Sequence, residues 1–205
     1  MIDKEIEYKS IIMRCNSVNP DAFIALDPNI TMEYYSRDME YIWIEIQKSV
    51  GEFAGYSDKE IYSYFHDKFM IYKEQLMQRC IFIKDKKSGK YIGTCCAWFD
   101  KKNDKIVPVL HWLAVKDEFA NHGYARLLIG ETLKILRKSS AKEPIYLHTQ
   151  PCSYKAIKLY IDFGFCITKK DTYGTAKNEF DEAMKILKKH LDAVVYEKLI
   201  QTSIL

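Results

Sequence analysis

The junction of residues 115–126 (VKDEFANHGYAR) carries the residue types and spacing that best suit a chemical role. Gly123 and Ala125 are small, and small side chains let a ligand approach the backbone closely. The first turn of a helix has backbone N–H groups without acceptors, and its dipole favours negative charge. We therefore expect residues 121–126 to bind a phosphate or pyrophosphate. Spacing alone leaves an ordinary strand–helix turn open as the alternative.

Two common nucleotide-binding motifs are absent from the sequence. It contains neither G-x-x-x-x-G-K-[ST], which cradles nucleoside triphosphates, nor G-x-G-x-x-G, which binds dinucleotides. Nucleotide hydrolysis through a phosphate loop and dinucleotide-dependent chemistry are thus disfavoured.

The elements around this junction follow from hydrophobic periodicity. Apolar and alternating runs predict strands at 8–15, 106–115, 145–148 and 165–168, and a hairpin at 80–99. Helical spacing predicts helices at 31–50, from the capping box Ser57–Glu60 to about 70, at 122–138, at 153–162 and at 178–202. This order predicts one mixed α/β domain over 1–205, in which the most apolar strand leads into the glycine-containing turn.

Composition narrows the function classes further. The chain has 205 residues, 48% of them hydrophobic, and a net charge of +3, which disfavours disorder and a general nucleic-acid or membrane-surface binder. The six cysteines form no C-x-x-C pair, so neither a zinc site nor any other metal site is expected. Without an apolar leader segment the expectation is a cytoplasmic protein with reduced thiols.

Two segments of the sequence resemble the GNAT superfamily of acyl-CoA-dependent N-acetyltransferases. They are VLHWLAVKDEFANHGYARLLIGETL at 109–133 and IYLHTQPCSYKAIKLYIDFGF at 145–165. The resemblance implies an α/β (α+β) fold with a mixed, mostly antiparallel sheet, splayed central parallel strands and flanking helices, here with an extra C-terminal helix. It also implies transfer of acetyl from acetyl-CoA to a primary amine by direct attack.

The resemblance carries cofactor contacts onto particular residues. The pyrophosphate is expected on Asn121, His122, Gly123, Tyr124, Ala125 and Arg126, the pantetheine arm along Leu113, Ala114 and Val115, and further contacts at Thr149, Ser153, Ala156 and Tyr160. Two positions depart from the family pattern, since Ala120 replaces an Arg or Gln and Ser153 replaces an Asn. These departures keep a non-catalytic acyl-CoA-binding or regulatory module as the alternative function.

The resemblance also assigns catalytic roles. Tyr160 matches the tyrosine that stands near the thioester sulfur, so it is expected to protonate the departing sulfur, and a core aromatic on an amphipathic helix is the alternative. The Leu113 amide is expected to face the thioester oxygen. His111 is the first candidate for the base that deprotonates the amine, on one predicted strand face with Val109, Leu113 and Val115. A structural histidine is the alternative, and His148 is the second candidate. An acyl-cysteine route through Cys152 is disfavoured.

The acceptor is expected to be a small-molecule or peptide amine, with neither nucleic acid nor membrane as partner. An aromatic-lined acceptor pocket is one interpretation of the N-terminal half, and a packed core is the other. The candidates for its walls are Trp43, Tyr34, Tyr35, Phe53 and Tyr56, with Glu45 and Glu52 as partners for a cationic amine. For helix 178–202, covering the pocket, packing on the sheet and forming a homodimer all stay open.

Overall fold

The computed structural model describes residues 2–3, 5–140 and 142–205. Its strands are β1 (Ile11–Cys15), β2 (Ile30–Tyr34), β3 (Cys80–Asp85), β4 (Tyr91–Lys102), β5 (Lys105–Val115), β6 (Ile145–Thr149) and β7 (Cys166–Ile167). Its α-helices are α1 (Glu40–Ser49), α2 (Asp58–Phe69), α3 (Lys73–Arg79), α4 (Tyr124–Ser139), α5 (Tyr154–Asp162), α6 (Phe180–His190) and α7 (Ala193–Gln201).

The strands form one seven-stranded sheet in the order β2-β3-β4-β5-β6-β1-β7. The pairs β2/β3, β3/β4, β1/β6 and β1/β7 are antiparallel, and β5 pairs with β6 in parallel. The recorded parallel register is Val109 opposite Tyr146. The predicted mixed, mostly antiparallel α/β fold is therefore confirmed.

The predicted helix at 31–50 was wrong in its first half. Residues 30–34 form β2 and pair with β3 from Ile30 opposite Asp85 to Tyr34 opposite Ile81. α1 begins only at Glu40, after Asp38 has adopted a left-handed φ of 67°. Pairing with a distant strand thus overrides the local helical pattern.

The predicted C-terminal helix at 178–202 is two helices, α6 and α7. The chain turns to extended backbone at Leu191 and Asp192, and the Asp192 carboxylate caps α7 by accepting from the Val195 N–H at 2.9 Å. Beyond α7, Ile204 forms an isolated parallel bridge with Thr168. A capping residue within the predicted helix therefore divides it.

The chain divides into two compact units. The first comprises residues 24–97 and 112–135, with a core that includes Trp43, Phe65, Phe69 and Phe82. The second comprises residues 2–23, 98–111 and 136–205, with a core that includes Ile11, Met13, Phe163, Phe165 and Leu187. In the described ranges, no helix is long and apolar enough to cross a bilayer.

Candidate active site

The turn after β5 has the geometry expected of an anion-binding helix start. β5 ends at Val115, a short 3-10 turn spans Asp117–Phe119, and α4 begins at Tyr124. Asn121 and Gly123 take left-handed φ angles of 64° and 81°. A non-glycine residue at 123 would add a strained backbone and a Cβ 3.3 Å from Ile24 Cδ1.

The first hydrogen bond of α4 is donated by the Leu127 N–H to the Gly123 carbonyl at 3.0 Å. The amides of Tyr124 and Ala125 precede it, so they have no acceptor inside the helix. Beside them, His122 donates through Nδ1–H to the Ala120 carbonyl at 2.8 Å and stacks on the Tyr124 ring at 5.6 Å. The helix start therefore presents main-chain donors at the positions where we expected the pyrophosphate.

The strand before this turn is interrupted at Trp112. Trp112 has a φ of 54°, and its carbonyl accepts a hydrogen bond from Gln47 Nε2 at 3.1 Å. The expected shared face of His111, Leu113 and Val115 depends on regular alternation, which the left-handed residue between His111 and Leu113 interrupts. Ala114 is buried, whereas Leu113 and Val115 are half-buried.

Gly93 on β4 is required by close packing against the end of β5. A Cβ there would lie 2.9 Å from the Ala114 carbonyl oxygen and 3.0 Å from Leu128 Cδ1. A contact of this kind with a backbone oxygen leaves no room for a side chain. Packing against β4 thus restricts the main chain of residues 113–115, where the pantetheine arm is expected.

In the second unit, Tyr160 lies on α5 and is 6% exposed. Its ring packs edge-on against Phe165 with centroids 5.9 Å apart, and its carbonyl accepts from the Phe165 N–H at 2.9 Å. One turn before it, Ala156 is half-buried. The packing against Phe165 thus shields the Tyr160 ring from solvent.

The other two residues expected on this segment lie beside the start of α5. Thr149 ends β6 and is 3% exposed. The Ser153 hydroxyl accepts from Gln150 Nε2 at 3.3 Å and makes no capping hydrogen bond to α5. The Ser153 side chain, which replaces the family's asparagine, is therefore paired within its own turn.

His148, the second candidate base, has well-defined partners in this unit. Its Nε2 lies 2.9 Å from Ser10 Oγ and 3.2 Å from the Tyr8 hydroxyl. The Ser10 hydroxyl donates to the Lys177 carbonyl, so it accepts from His148 Nε2–H. Nδ1 then carries the lone pair, and burial lowers the pKa of His148 below its ordinary value. His111, half-buried, lies two residues after the Val109–Tyr146 pair.

The aromatic residues of the N-terminal half are only partly brought together. Trp43, Phe53 and Tyr56 join Tyr64 and Trp112 in a group that we call the Trp112 cluster. Tyr35 instead is buried against Phe65 and donates to Glu40, and Tyr34 is exposed on β2. Sequence reasoning missed Tyr64, Trp112 and Gln47, and only the tryptophan at the end of an apolar strand offered a signal.

A cleft of about 490 Å³ also lies in the first unit. Its lining residues are Ile42, Glu45, Ser49, Gly89, Lys90, Tyr91, Lys116 and Glu118. Lys116 Nζ closes an ion pair with Glu45 Oε1 at 2.5 Å, which places Glu45 here rather than in the Trp112 cluster. In the part of the chain that the structure describes, no group of three or more His, Cys, Asp or Glu residues is arranged to hold a metal ion.

Comparison with known families agrees with this geometry. The model of the acetyltransferase (GNAT) family matches residues 32–165, so the chain belongs to the GNAT acetyltransferase family. A search of curated proteins found no match.

Solved structures show the same fold at low sequence identity. A GCN5-related N-acetyltransferase from Sphaerobacter thermophilus is 15% identical with a TM-score of 0.54, covering 81% of this chain and 50% of its own. A GNAT-family acetyltransferase from Colwellia psychrerythraea is 12% identical with a TM-score of 0.55, covering 81% and 55%. A chain of the NatC complex bound to Gag peptide and CoA is 19% identical with a TM-score of 0.51, covering 65% and 82%. The chain thus spans about half the length of the first two structures.

Proposed function

We propose that this protein transfers an acetyl group from acetyl-CoA to a primary amine by direct attack. The observation that carries the proposal is the start of α4, where a left-handed Gly123 leads into the amides of Tyr124 and Ala125, which have no acceptor within the helix. Such a terminus suits a diphosphate because its donors and its dipole both favour negative charge. Membership of the GNAT family makes CoA the fitting source of that diphosphate.

The remaining cofactor contacts follow the family pattern. The main chain of residues 113–115 is the proposed partner of the pantetheine arm, and Asn121, His122 and Arg126 complete the diphosphate site. Thr149, Ser153 and Ala156 are further proposed contacts. Ala120 supplies no polar side chain, so binding of the diphosphate relies on the backbone amides.

Bound acetyl-CoA supplies the acetyl group as a thioester, and the chain's own residues manage charge and protons. The Leu113 N–H is the proposed donor to the carbonyl oxygen as negative charge develops on it. Tyr160 is the proposed donor of a proton to the departing sulfur. A thiol of pKa about 8.5 and a phenol of about 10 are close enough for this transfer when it is concerted with bond cleavage.

The attacking amine must first lose a proton, since an alkylamine with a pKa near 10.4 is mostly charged at neutral pH. His111 is the proposed acceptor of that proton. His148 is the second candidate, and its favourable features are the Nδ1 lone pair and a pKa lowered by burial.

CoA binding to the purified protein tests the proposal. Thermal unfolding is measured with and without CoA, and free CoA at about 100 times its Kd should add about 2.7 kcal/mol of stability. Gly123→Ala is expected to abolish most of this gain. Gly89→Ala is the matched control, because Gly89 is also left-handed but has open space around its Cβ position. A protein that neither binds CoA nor is stabilised by it contradicts the proposal.

Turnover separates the enzyme from the alternative function. Acetyl transfer to a panel of amines, followed by release of free CoA thiol, is the expected result. CoA binding without transfer to any amine would favour the acyl-CoA-binding or regulatory module instead.

A further inference from the structure

Two of the six cysteines lie directly opposite each other in the part of the sheet that belongs to the first unit. Cys80 begins β3 and Cys96 lies within β4, and the antiparallel register pairs them. Their Sγ atoms are 3.0 Å apart, about 1 Å more than the length of a disulfide bond. Both residues are thiols in this structure, and both side chains are fully buried. The two sulfurs are therefore in direct contact, with no other atom between them.

The backbone hydrogen bonds of Cys80 determine which kind of cross-strand pair this is. The Cys80 carbonyl accepts from the Tyr35 N–H at 2.8 Å on the β2 side, and the Cys80 N–H donates to the Leu76 carbonyl of α3. Both groups are engaged away from β4, so Cys80 and Cys96 form a non-hydrogen-bonded pair. Such pairs bring the Cα atoms to about 4.5 Å and the side chains closest together. This spacing lies within the range of about 4.4–6.8 Å that disulfides require.

The neighbouring cysteine on β4 offers an internal comparison. Cys95 is equally buried, but it lies opposite Ile81, and successive side chains of a strand point to opposite faces of the sheet. Cys95 therefore lies on the other face from Cys80 and Cys96. The Thr94 hydroxyl lies 3.7 Å from Cys80 Sγ and donates to the Ile81 carbonyl. Of the three cysteines on these two strands, the geometry thus selects Cys80 and Cys96 as partners.

Burial determines when these two thiols can react. The thiolate is the reactive form of cysteine, and burial, together with the adjacent Cys80 thiol, raises the pKa of Cys96 well above its ordinary value. Fully buried sulfurs are also out of reach of a dissolved oxidant. The folded protein should therefore resist oxidation here, whereas a chain that is still folding exposes both thiols. The same burial protects a disulfide from reductants once the bond has formed.

We propose that Cys80 and Cys96 form a cross-strand disulfide when the chain folds in the presence of a small-molecule disulfide such as oxidised glutathione. The thiolate of one cysteine attacks the small disulfide, which forms a mixed disulfide and releases one glutathione thiolate. The thiolate of the other cysteine then attacks the protein sulfur of this mixed disulfide and releases the second glutathione. Two electrons pass to the oxidant, and the two released glutathione molecules take up the two thiol protons.

The new bond stabilises the strand that packs against the end of β5. A Cβ at Gly93 of β4 would meet the Ala114 carbonyl oxygen, and the Ile92 carbonyl accepts from the Lys116 N–H at 2.8 Å. A disulfide between β3 and β4 limits the conformational freedom of the unfolded chain around their hairpin turn. We therefore expect the oxidised protein to unfold at a higher temperature than the reduced protein.

Refolding in a glutathione buffer tests the pairing. The chain is unfolded with denaturant and reductant, then refolded at about pH 8.5 with reduced glutathione in about tenfold excess over oxidised glutathione. Remaining thiols are alkylated, and trypsin cleaves after Arg79, which separates Cys80 from the peptide that carries Cys95 and Cys96. Mass spectrometry should find the Cys80 peptide linked to Cys96 in most molecules, with Cys95 alkylated. Alkylation of both Cys80 and Cys96 in most molecules, or a link from Cys80 to Cys95, overturns the proposal.

Two variants measure the effect of the bond on stability. Cys80→Ala removes one partner, whereas Cys95→Ala, the matched control, removes an equally buried sulfur from the other face of the sheet. The wild type and Cys95→Ala refolded with oxidised glutathione should melt about 5–10 °C above their reduced forms, and Cys80→Ala should show no such shift. An equal shift in Cys80→Ala, or no shift in the wild type, overturns the proposal. The mass measurement on the wild type decides the pairing whether or not a variant folds, and neither measurement depends on CoA binding or turnover.

Discussion

The side chains proposed to move protons lie on regular elements, whereas the strained aromatic residues lie where elements are interrupted. Tyr160 is within α5 and His148 within β6, each with partners that fix its position. Phe53 follows the end of α1, and Trp112 breaks the alternation of β5.

Replacement of Tyr160 by Phe removes the hydroxyl and keeps the ring that packs on Phe165. If Tyr160 protonates the departing sulfur, kcat should fall about 100-fold while the Kd for CoA changes little. Steady-state rates are measured across pH. The fall in kcat at high pH that reflects deprotonation of the acid should disappear. Tyr154→Phe on the same helix is the control. A normal rate with a normal pH profile in Tyr160→Phe would remove the acid assignment.

At the scale of elements, the sequence predicted those helices, strands and turns that are determined by residues close together in the chain. The hairpin, the apolar strand, the glycine turn and α4 were all predicted, and so was the capping box at Ser57. β2 was missed because its partner β3 lies about fifty residues later in the chain. The Trp112 cluster was predicted only in part, because its assembly depends on α1 and α2 packing near β5 and on a break in that strand.

The capping box of α2 gives an element-scale prediction. The Ser57 hydroxyl accepts from the Glu60 N–H at 3.3 Å, and Glu60 Oε2 accepts from the Ser57 N–H at 2.8 Å. Ser57→Ala should therefore lower the free energy of unfolding by about 1 kcal/mol. Ser63→Ala, an exposed position in the same helix, should be neutral or slightly stabilising. Urea denaturation measures both, and equal effects would show that the box contributes nothing.

For the whole molecule, the pKa shift at His148 predicts how stability depends on pH. Burial lowers the folded-state pKa below the unfolded value of about 6.5, so the unfolded chain binds more protons in this range. Stability should then fall as pH drops through about 6.5 towards the lowered folded-state pKa. His148→Gln should flatten this dependence, whereas His190→Gln, at an exposed position, should not.

Chemical denaturation at several pH values supplies the measurement. Other groups contribute to the same curve, so the decisive quantity is the difference between the two variants. Parallel curves for His148→Gln and the wild type would show that the imidazole does not resist protonation in the folded chain.

The left-handed residue within β5 also bears on how this protein tolerates changes in length. Trp112 is the point at which β5 departs from extended backbone, so a one-codon deletion there removes the irregular residue itself and leaves extended residues on either side. The same deletion elsewhere in β5 would shift the strand by one residue and turn every later side chain to the opposite surface. Among natural variants of β5, gaps should therefore be confined to position 112.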